Sequence, residues 1–216
     1  YSPREQHAVR VKYNLPGKFM LFLGNEATRK NPGRVIDAYV RYATQADTPL
    51  PIVTPGLSDE FIESKLAELN ASEKGYLFVA PGYILEDDLP VVYNLSTVFL
   101  IPSLSEGFGM PLAEAMACGA PVVTSSTSCL PEIAGNAAVL VNPLSPDDIS
   151  NAMLQLTNDE ELRKQMIDAG LRNSRRFNWT SAAEKILDLY EAVVAEQASS
   201  QKQPGFLGKY VFATRH

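Results

Sequence analysis

Glu106 and Glu114 stand eight positions apart in Glu106-Gly107-Phe108-Gly109-Met110-Pro111-Leu112-Ala113-Glu114, directly after the apolar run Val98–Ile101. The run reads as a buried strand and the segment after Pro111 as a helix. Two carboxylates and two glycines therefore bracket a strand-to-helix turn, where an open α/β sheet binds its ligands. Such a turn offers unpaired backbone N–H groups to phosphates. Carboxylates accept hydrogen bonds from hydroxyls. A nucleotide-sugar presents both kinds of partner.

Three further stretches carry chemistry. Gly24-Asn25-Glu26-Ala27-Thr28-Arg29-Lys30-Asn31 lies between the first strand and its helix. A glycine at a strand end lets a backbone approach closely, and Arg29 with Lys30 could neutralise a diphosphate. A solvated basic pair on a loop is the alternative. Pro81-Gly82-Tyr83-Ile84 ends the third strand, where an apolar side chain and exposed backbone could hold a nucleobase. A strand-ending turn with Tyr83 packed on the surface is the plainer reading. Glu86-Asp87-Asp88 could ligate a hard cation, but acidic residues at this place fit a helix start better. The chain has neither a Walker A loop nor a Gly-x-Gly-x-x-Gly fingerprint, which disfavours P-loop NTPases and nicotinamide dehydrogenases. It has no Asp-x-Asp pair for a metal diphosphate, and its histidines, His7 and His216, lie in the terminal segments.

The elements that must position these groups alternate along the chain. Strands are expected at 19–23, 51–53, 76–80, 97–101, 121–124 and 137–141, with helices or helical turns between them, and a purely helical stretch at 146–195. Asn31-Pro32 resembles an N-cap and first helical position, and Ser58 caps the next helix. Alternation at this spacing implies right-handed crossovers and a parallel sheet with helices on both faces. Residues 1–17 read as a polar, irregular linker, 18–197 as one domain, and 198–216 as a linker followed by an apolar, basic tail without assigned role. A length of 216 residues supports one substantial core, and 45% apolar with 20% charged residues fits an ordinary globular protein. The net charge of −6 argues against nucleic-acid binding. No apolar stretch is long enough to span a bilayer, and no signal-peptide pattern opens the chain. Cys118 and Cys129 lack metal-ligand spacing, so buried reduced thiols and a cytoplasmic location are expected.

With these elements in place, residues 102–123 resemble the signature of retaining GT-B glycosyltransferases of family 4. The resemblance extends upstream to Phe22-Leu23-Gly24 and Arg29-Lys30-Asn31, and downstream to Leu130-Pro131-Glu132-Ile133-Ala134-Gly135, covering roughly 18–197. It implies the C-terminal, Rossmann-like half of a two-domain fold, which binds a nucleoside diphosphate sugar without metal or other cofactor. Glu114 would then accept from the ribose hydroxyls and Glu106 from a hydroxyl of the transferred sugar. The backbone of Gly107, Phe108, Gly109, Met110, Pro111 and Leu112 would lie nearby, and Lys30 with Arg29 would face the leaving diphosphate. Gly24 and Asn25 would border the donor, and Tyr83 and Ile84 would lie by the base. Many members carry arginine after the first-loop glycine; here that position is Asn25, with Arg29 as a possible substitute. The resemblance further implies that an N-terminal acceptor domain or subunit is missing and that this chain turns over little by itself. A non-catalytic nucleotide-sugar-binding or assembly module and a sugar-nucleotide epimerase are the competing readings.

Overall fold

The computed structural model describes residues 1–200, with side chains to 197. Six parallel strands form one sheet: β1 (Met20–Phe22), β2 (Ile52–Val53), β3 (Phe78–Val79), β4 (Val98–Ile101), β5 (Val122–Ser125) and β6 (Val139–Val141). Their order is β3-β2-β1-β4-β5-β6. Met20 pairs with Ile52 on one side and Val98 on the other, and Leu100 pairs with Val123. β1, β4 and β5 are buried at every position, as strands covered on both faces must be, which explains their unbroken apolar runs. β6, at the edge, has one exposed residue. The winding direction reverses between β1 and β4. Loops that leave these two strands therefore open toward each other at the C-terminal edge of the sheet, the switch point where doubly wound folds bind ligands.

Helices fill the spaces the sequence pattern leaves for them. α1 (Pro3–Lys12) precedes the sheet, and α2 (Pro32–Gln45) buries Val35, Ile36, Ala38, Tyr39 and Tyr42 on one face. Both tyrosine hydroxyls find partners at one residue: Tyr39 donates to the Leu50 carbonyl at 2.7 Å, and Tyr42 accepts from the Leu50 N–H at 3.1 Å. α3 (Asp59–Glu68), α4 (Leu89–Leu95), α5 (Met110–Ala117) and α6 (Leu130–Ala134) follow strands β2 to β5. The helical region expected at 146–195 is three helices, α7 (Pro146–Asn158), α8 (Glu160–Ser174) and α9 (Trp179–Ser200). α7 packs on α2 through Ile149, Ala152, Met153 and Leu156. Its start is capped by the Ser145 hydroxyl, and that of α8 by the Asp159 carboxylate, at 3.2 and 2.8 Å from their N–H donors. Two compact units result, one up to residue 176 and one from residue 177 onward that holds α9. Among the described residues, no helix is long and apolar enough to cross a membrane.

Two expectations about the ends are corrected. Residues 1–17 are not irregular. Ser2 and Glu5 form a capping box around Pro3, and Val9, Tyr13 and Leu15 are buried, with α1 packed on α4. Few apolar residues mark that face, so periodicity could not reveal it, whereas Ser2-Pro3-Arg4-Glu5 could have. The linker expected from 198 begins as the last turn of α9, and the tail at 206–216 lies outside the described residues. Cys118 and Cys129 are free thiols but only partly buried.

Gly56, in the loop between β2 and α3, illustrates how tightly the C-terminal edge is packed. A Cβ there would collide with the Gly24 carbonyl oxygen, a backbone atom that has no rotamer to yield. Gly56→Ala should therefore cost about 1–3 kcal/mol. A lower melting temperature with a disturbed Gly24 amide resonance is the expected result, and an unchanged melt would contradict this packing.

Candidate functional site

The site is assembled from two loops that the switch point brings together. Gly24 ends the first strand region, and any side chain there would strike the Phe22 ring. The loop beyond it is held at several places. Asn25 turns it by accepting the Ala27 N–H at 3.2 Å, and Glu26 accepts from the N–H and hydroxyl of Ser58, which itself caps α3. Arg29 and Lys30 lie in a short 3-10 turn, and the Arg29 carbonyl accepts from Leu104 N–H at 2.8 Å, across in the loop after β4. Asn31 sits at the N-cap position of α2, but its side chain does not cap that helix. It adopts φ 64° and donates to the carbonyls of Pro102 at 3.0 Å and Pro143 at 2.7 Å. The sequence expectation of an N-cap thus named the right place and the wrong partner. A residue 3% exposed joins the loops after β1, β4 and β6.

This framework brings Arg29, Lys30 and Glu106 together. Lys30 Nζ lies 2.6 Å from Glu106 Oε1, Arg29 Nη1 lies 3.2 Å from Oε2, and Ser103 donates to Oε1 at 2.8 Å. The Glu106 side chain is 8% exposed and that of Lys30 14%, against 56% for Arg29. Most of the electrostatic stabilisation therefore comes from the Lys30 contact, since exposed pairs contribute little. Burial alone would raise the Glu106 pKa. The hydrogen bonds from Lys30 and Ser103, with the charges of Lys30 and Arg29, outweigh it and hold the carboxyl below its ordinary range. Glu106 is thus not the open acceptor expected for a sugar hydroxyl. It is locked in an internal ion pair with the very cations expected to face the diphosphate. A carboxylate offers about four lone-pair sites. Three are occupied, which leaves room for one further donor at Oε2, on the more exposed Arg29 side. The group as a whole carries one net positive charge.

Glu114 belongs to a different network. It lies mid-helix in α5, partly exposed, and its Oε2 accepts from the Tyr93 hydroxyl at 3.1 Å. Burial, with the Glu114 charge and hydrogen bond, pushes the Tyr93 phenol far up, so it remains a donor at all physiological pH. At the start of α5, Gly109 takes φ 86° as N-cap, a conformation that favours glycine. As N-cap and first helical residue, Gly109 and Met110 have no intrahelical acceptor for their N–H groups. Leu112 does not share that role: its side chain is buried and its N–H is bound to the Gly109 carbonyl at 2.9 Å. Phe108, Met110 and Pro111 border the start of this helix, the first two exposed.

The base-side expectation splits. Tyr83 is 74% exposed, but Ile84 is 5% exposed and its side chain serves the core. Sequence reasoning also missed what holds this loop. The Tyr13 hydroxyl accepts from the Leu85 N–H at 3.1 Å and donates to Asp88 at 2.7 Å, and Lys12 pairs with Asp88 at 2.6 Å. Asp88 stands at the start of α4, the helix-start place expected for it, and its carboxyl, lowered by the hydrogen bonds from Lys12 and Tyr13, makes no side-chain bond to the N–H groups of that helix. No local signal pointed to this, because Tyr13 comes from the segment read as a linker.

The ion pair makes a pH-dependent prediction. The folded pKa of Glu106 is depressed, so its stabilisation is complete above the unfolded carboxylate range and is lost as pH falls through the folded value. Lys30→Met should raise the Glu106 midpoint toward the unfolded value and so shrink the share of the acid-side loss of stability that Glu106 contributes. At pH 7 it should cost on the order of 2 kcal/mol, less than the loss from a fully buried pair because Arg29 remains. Carboxyl carbon NMR with melts across pH 3–7 would test this; an unmoved midpoint would refute it.

Comparison with known proteins places the chain in a family and a fold. The family described as "Glycosyl transferases group 1" matches residues 4–173. An O-antigen chain mannosyltransferase B from Escherichia coli is 31% identical over 88% of this chain and 50% of its own length. The chain thus spans about half of that relative, and about a quarter of serotype-specific mannosyltransferases from the same organism. Sucrose-phosphate synthase from Thermosynechococcus elongatus superposes with TM-score 0.73 at 25% identity, over 88% of this chain and 49% of that one. The C-terminal domain of a group 1 family glycosyl transferase from Francisella tularensis superposes with TM-score 0.65 at 22% identity, over 81% of this chain and 93% of that domain. With a family match that takes in both loops of the Lys30–Glu106 pair, this chain belongs to the group 1 glycosyl transferases.

Proposed function

We propose that this chain is the donor-binding domain of a retaining hexosyltransferase of family 4, working in the cytoplasm without a metal ion. The observation that carries the proposal is the Arg29–Lys30–Glu106 cluster beside the N-terminus of α5. In this reading the donor diphosphate lies against Lys30, Arg29 and the first amides of α5. Phosphate oxygens then share or replace the Glu106 carboxylate as partners of the two cations. Glu106 is thereby freed to take a hydroxyl of the transferred sugar, Glu114 takes the ribose hydroxyls, and Tyr83 lies by the base. Cleaving a glycosyl diphosphate develops negative charge on the departing phosphate, and preorganised cations and amides stabilise that charge, each typically worth about 3–4 kcal/mol. Front-face attack by the acceptor, with retention, follows from the family resemblance. The acceptor-binding part would lie outside this chain, in keeping with relatives twice its length. The relatives named as mannosyltransferases favour mannose as the sugar.

Engagement of Glu106 by both cations favours a second reading, a non-catalytic nucleotide-sugar-binding module. The two readings separate in enzyme reconstituted with its acceptor-binding part. Glu106→Ala abolishes transfer in the first reading and leaves nothing to lose in the second.

Binding by the chain alone tests the shared premise. In a thermal-shift panel of nucleoside diphosphate sugars, one at a hundredfold excess over its Kd should stabilise the protein by about 2.7 kcal/mol. Lys30→Ala should weaken that ligand about tenfold or more. A flat response to the whole panel would refute donor binding, and robust transfer by the isolated chain would refute the half-enzyme assignment.

A further inference from the structure

Glu106 occupies an irregular loop between β4 and α5, and different anchors hold its two halves. The first half is tied down by Asn31 on the Pro102 carbonyl, Ser125 on the Ser103 carbonyl and Leu104 on the Arg29 carbonyl. The second half, where Glu106 itself lies, is held from the loop after β5. The Ser128 hydroxyl accepts the Glu106 N–H at 3.1 Å and donates to the Glu106 carbonyl at 2.9 Å, with Cys129 Sγ 3.2 Å from the same oxygen. One hydroxyl thus closes on both polar groups of one residue. Ser128 does so at φ 61°. Among the described residues, the other non-glycine residues with positive φ are Asn14, Asn31 and Asn70, and asparagine tolerates that region where serine is uncommon. Ser128 is also exposed and outside the core, so its unfavourable backbone is not explained by packing.

We propose that Ser128 is a positioning residue that fixes the backbone of Glu106, and through it the carboxylate that must meet both the loop cations and the sugar. The proposal rests on the transfer reading for the role of the sugar, but the clamp itself does not need it. Fixing N–H and carbonyl together removes the rotation about the Glu106 backbone that would otherwise swing its side chain away from Lys30, Arg29 and Ser103. Gly107, the next residue on its C-terminal side, supplies no side chain to do this instead.

Three variants separate positioning from stability. Ser128→Ala and Ser128→Gly both lose the hydroxyl, but only glycine relieves the left-handed conformation, so Ser128→Gly should melt above Ser128→Ala. Ser128→Thr keeps the hydroxyl and suffers most from the backbone, so it should melt lowest. Positioning gives another order. Without any donor, the Glu106 carboxyl carbon should titrate at a higher pH in Ser128→Ala and Ser128→Gly alike, and near wild type in Ser128→Thr. Affinity for a nucleoside diphosphate sugar that the wild-type chain binds should follow the same order, falling roughly three- to tenfold without the hydroxyl. A Glu106 midpoint that follows the melting order, or does not move in any variant, would overturn the proposal. A midpoint that moves as expected while donor affinity stays constant would leave the clamp standing and overturn the assignment of Glu106 to the sugar.

Discussion

An ammonium and a carboxylate, Lys30 and Glu106, meet across two loops that leave adjacent parallel strands at the point where the sheet reverses its winding. Neither charge is tolerable alone at such low exposure, because an unpaired charge out of water costs several kcal/mol. The surrounding loops therefore have to be built around the pair. Asn31 ties the lysine loop to two others through proline carbonyls, Leu104 bonds the backbone beside Lys30, and Ser103 adds a third donor to Glu106. The rigidity of the C-terminal edge follows from the requirement that these charges stay matched.

The same pair shapes what a ligand meets. In the free protein the cluster carries a single net positive charge, because one of the two cations is cancelled by the acid. Under the proposed donor-binding role, an anionic ligand would find a site whose cations are already oriented, and would exchange one carboxylate partner for phosphate oxygens. Preorganisation of this kind lowers the reorganisation needed when charge develops. Around it the polar groups are also committed in advance: Tyr93 holds Glu114, and Tyr13 with Lys12 holds Asp88 in the loop that carries Tyr83.

The strands were readable because a strand buried on both faces must be apolar throughout, and 98–101 or 122–123 offer no other interpretation. The helices α2 and α3 announced themselves by periodicity and by Pro32 and Ser58 at their starts, whereas α7, α8 and α9 read as a single helical stretch at 146–195. α1 did not, since a mostly polar helix shows little period, and its role depends on Tyr13 meeting residues more than seventy positions away. In the site, Arg29, Lys30 and Glu106 were visible as charged residues at strand-to-helix turns, and Glu114 as an acid in the helix that follows one. Their partners were not. Asn31 looked like a helix cap and Ile84 like part of a base pocket, and the structure spends both side chains elsewhere; Asp88 does stand at a helix start, with its carboxylate turned to Lys12 and Tyr13.

By itself, then, the order of residue types determined the six strands and the helices between them, that the sheet is parallel, and which loops carry charge and glycine at its C-terminal edge, but not α1. These are properties of short windows, governed by burial periodicity and backbone preference. Only the tertiary structure decided that Glu106 faces Lys30 and Arg29 and not open solvent, that Glu114 answers to Tyr93, and that Ser128 grips the Glu106 backbone. Each of those joins groups separated by many residues along the chain, and a hydrogen bond or ion pair depends on distance in space, which the sheet order sets and local sequence does not.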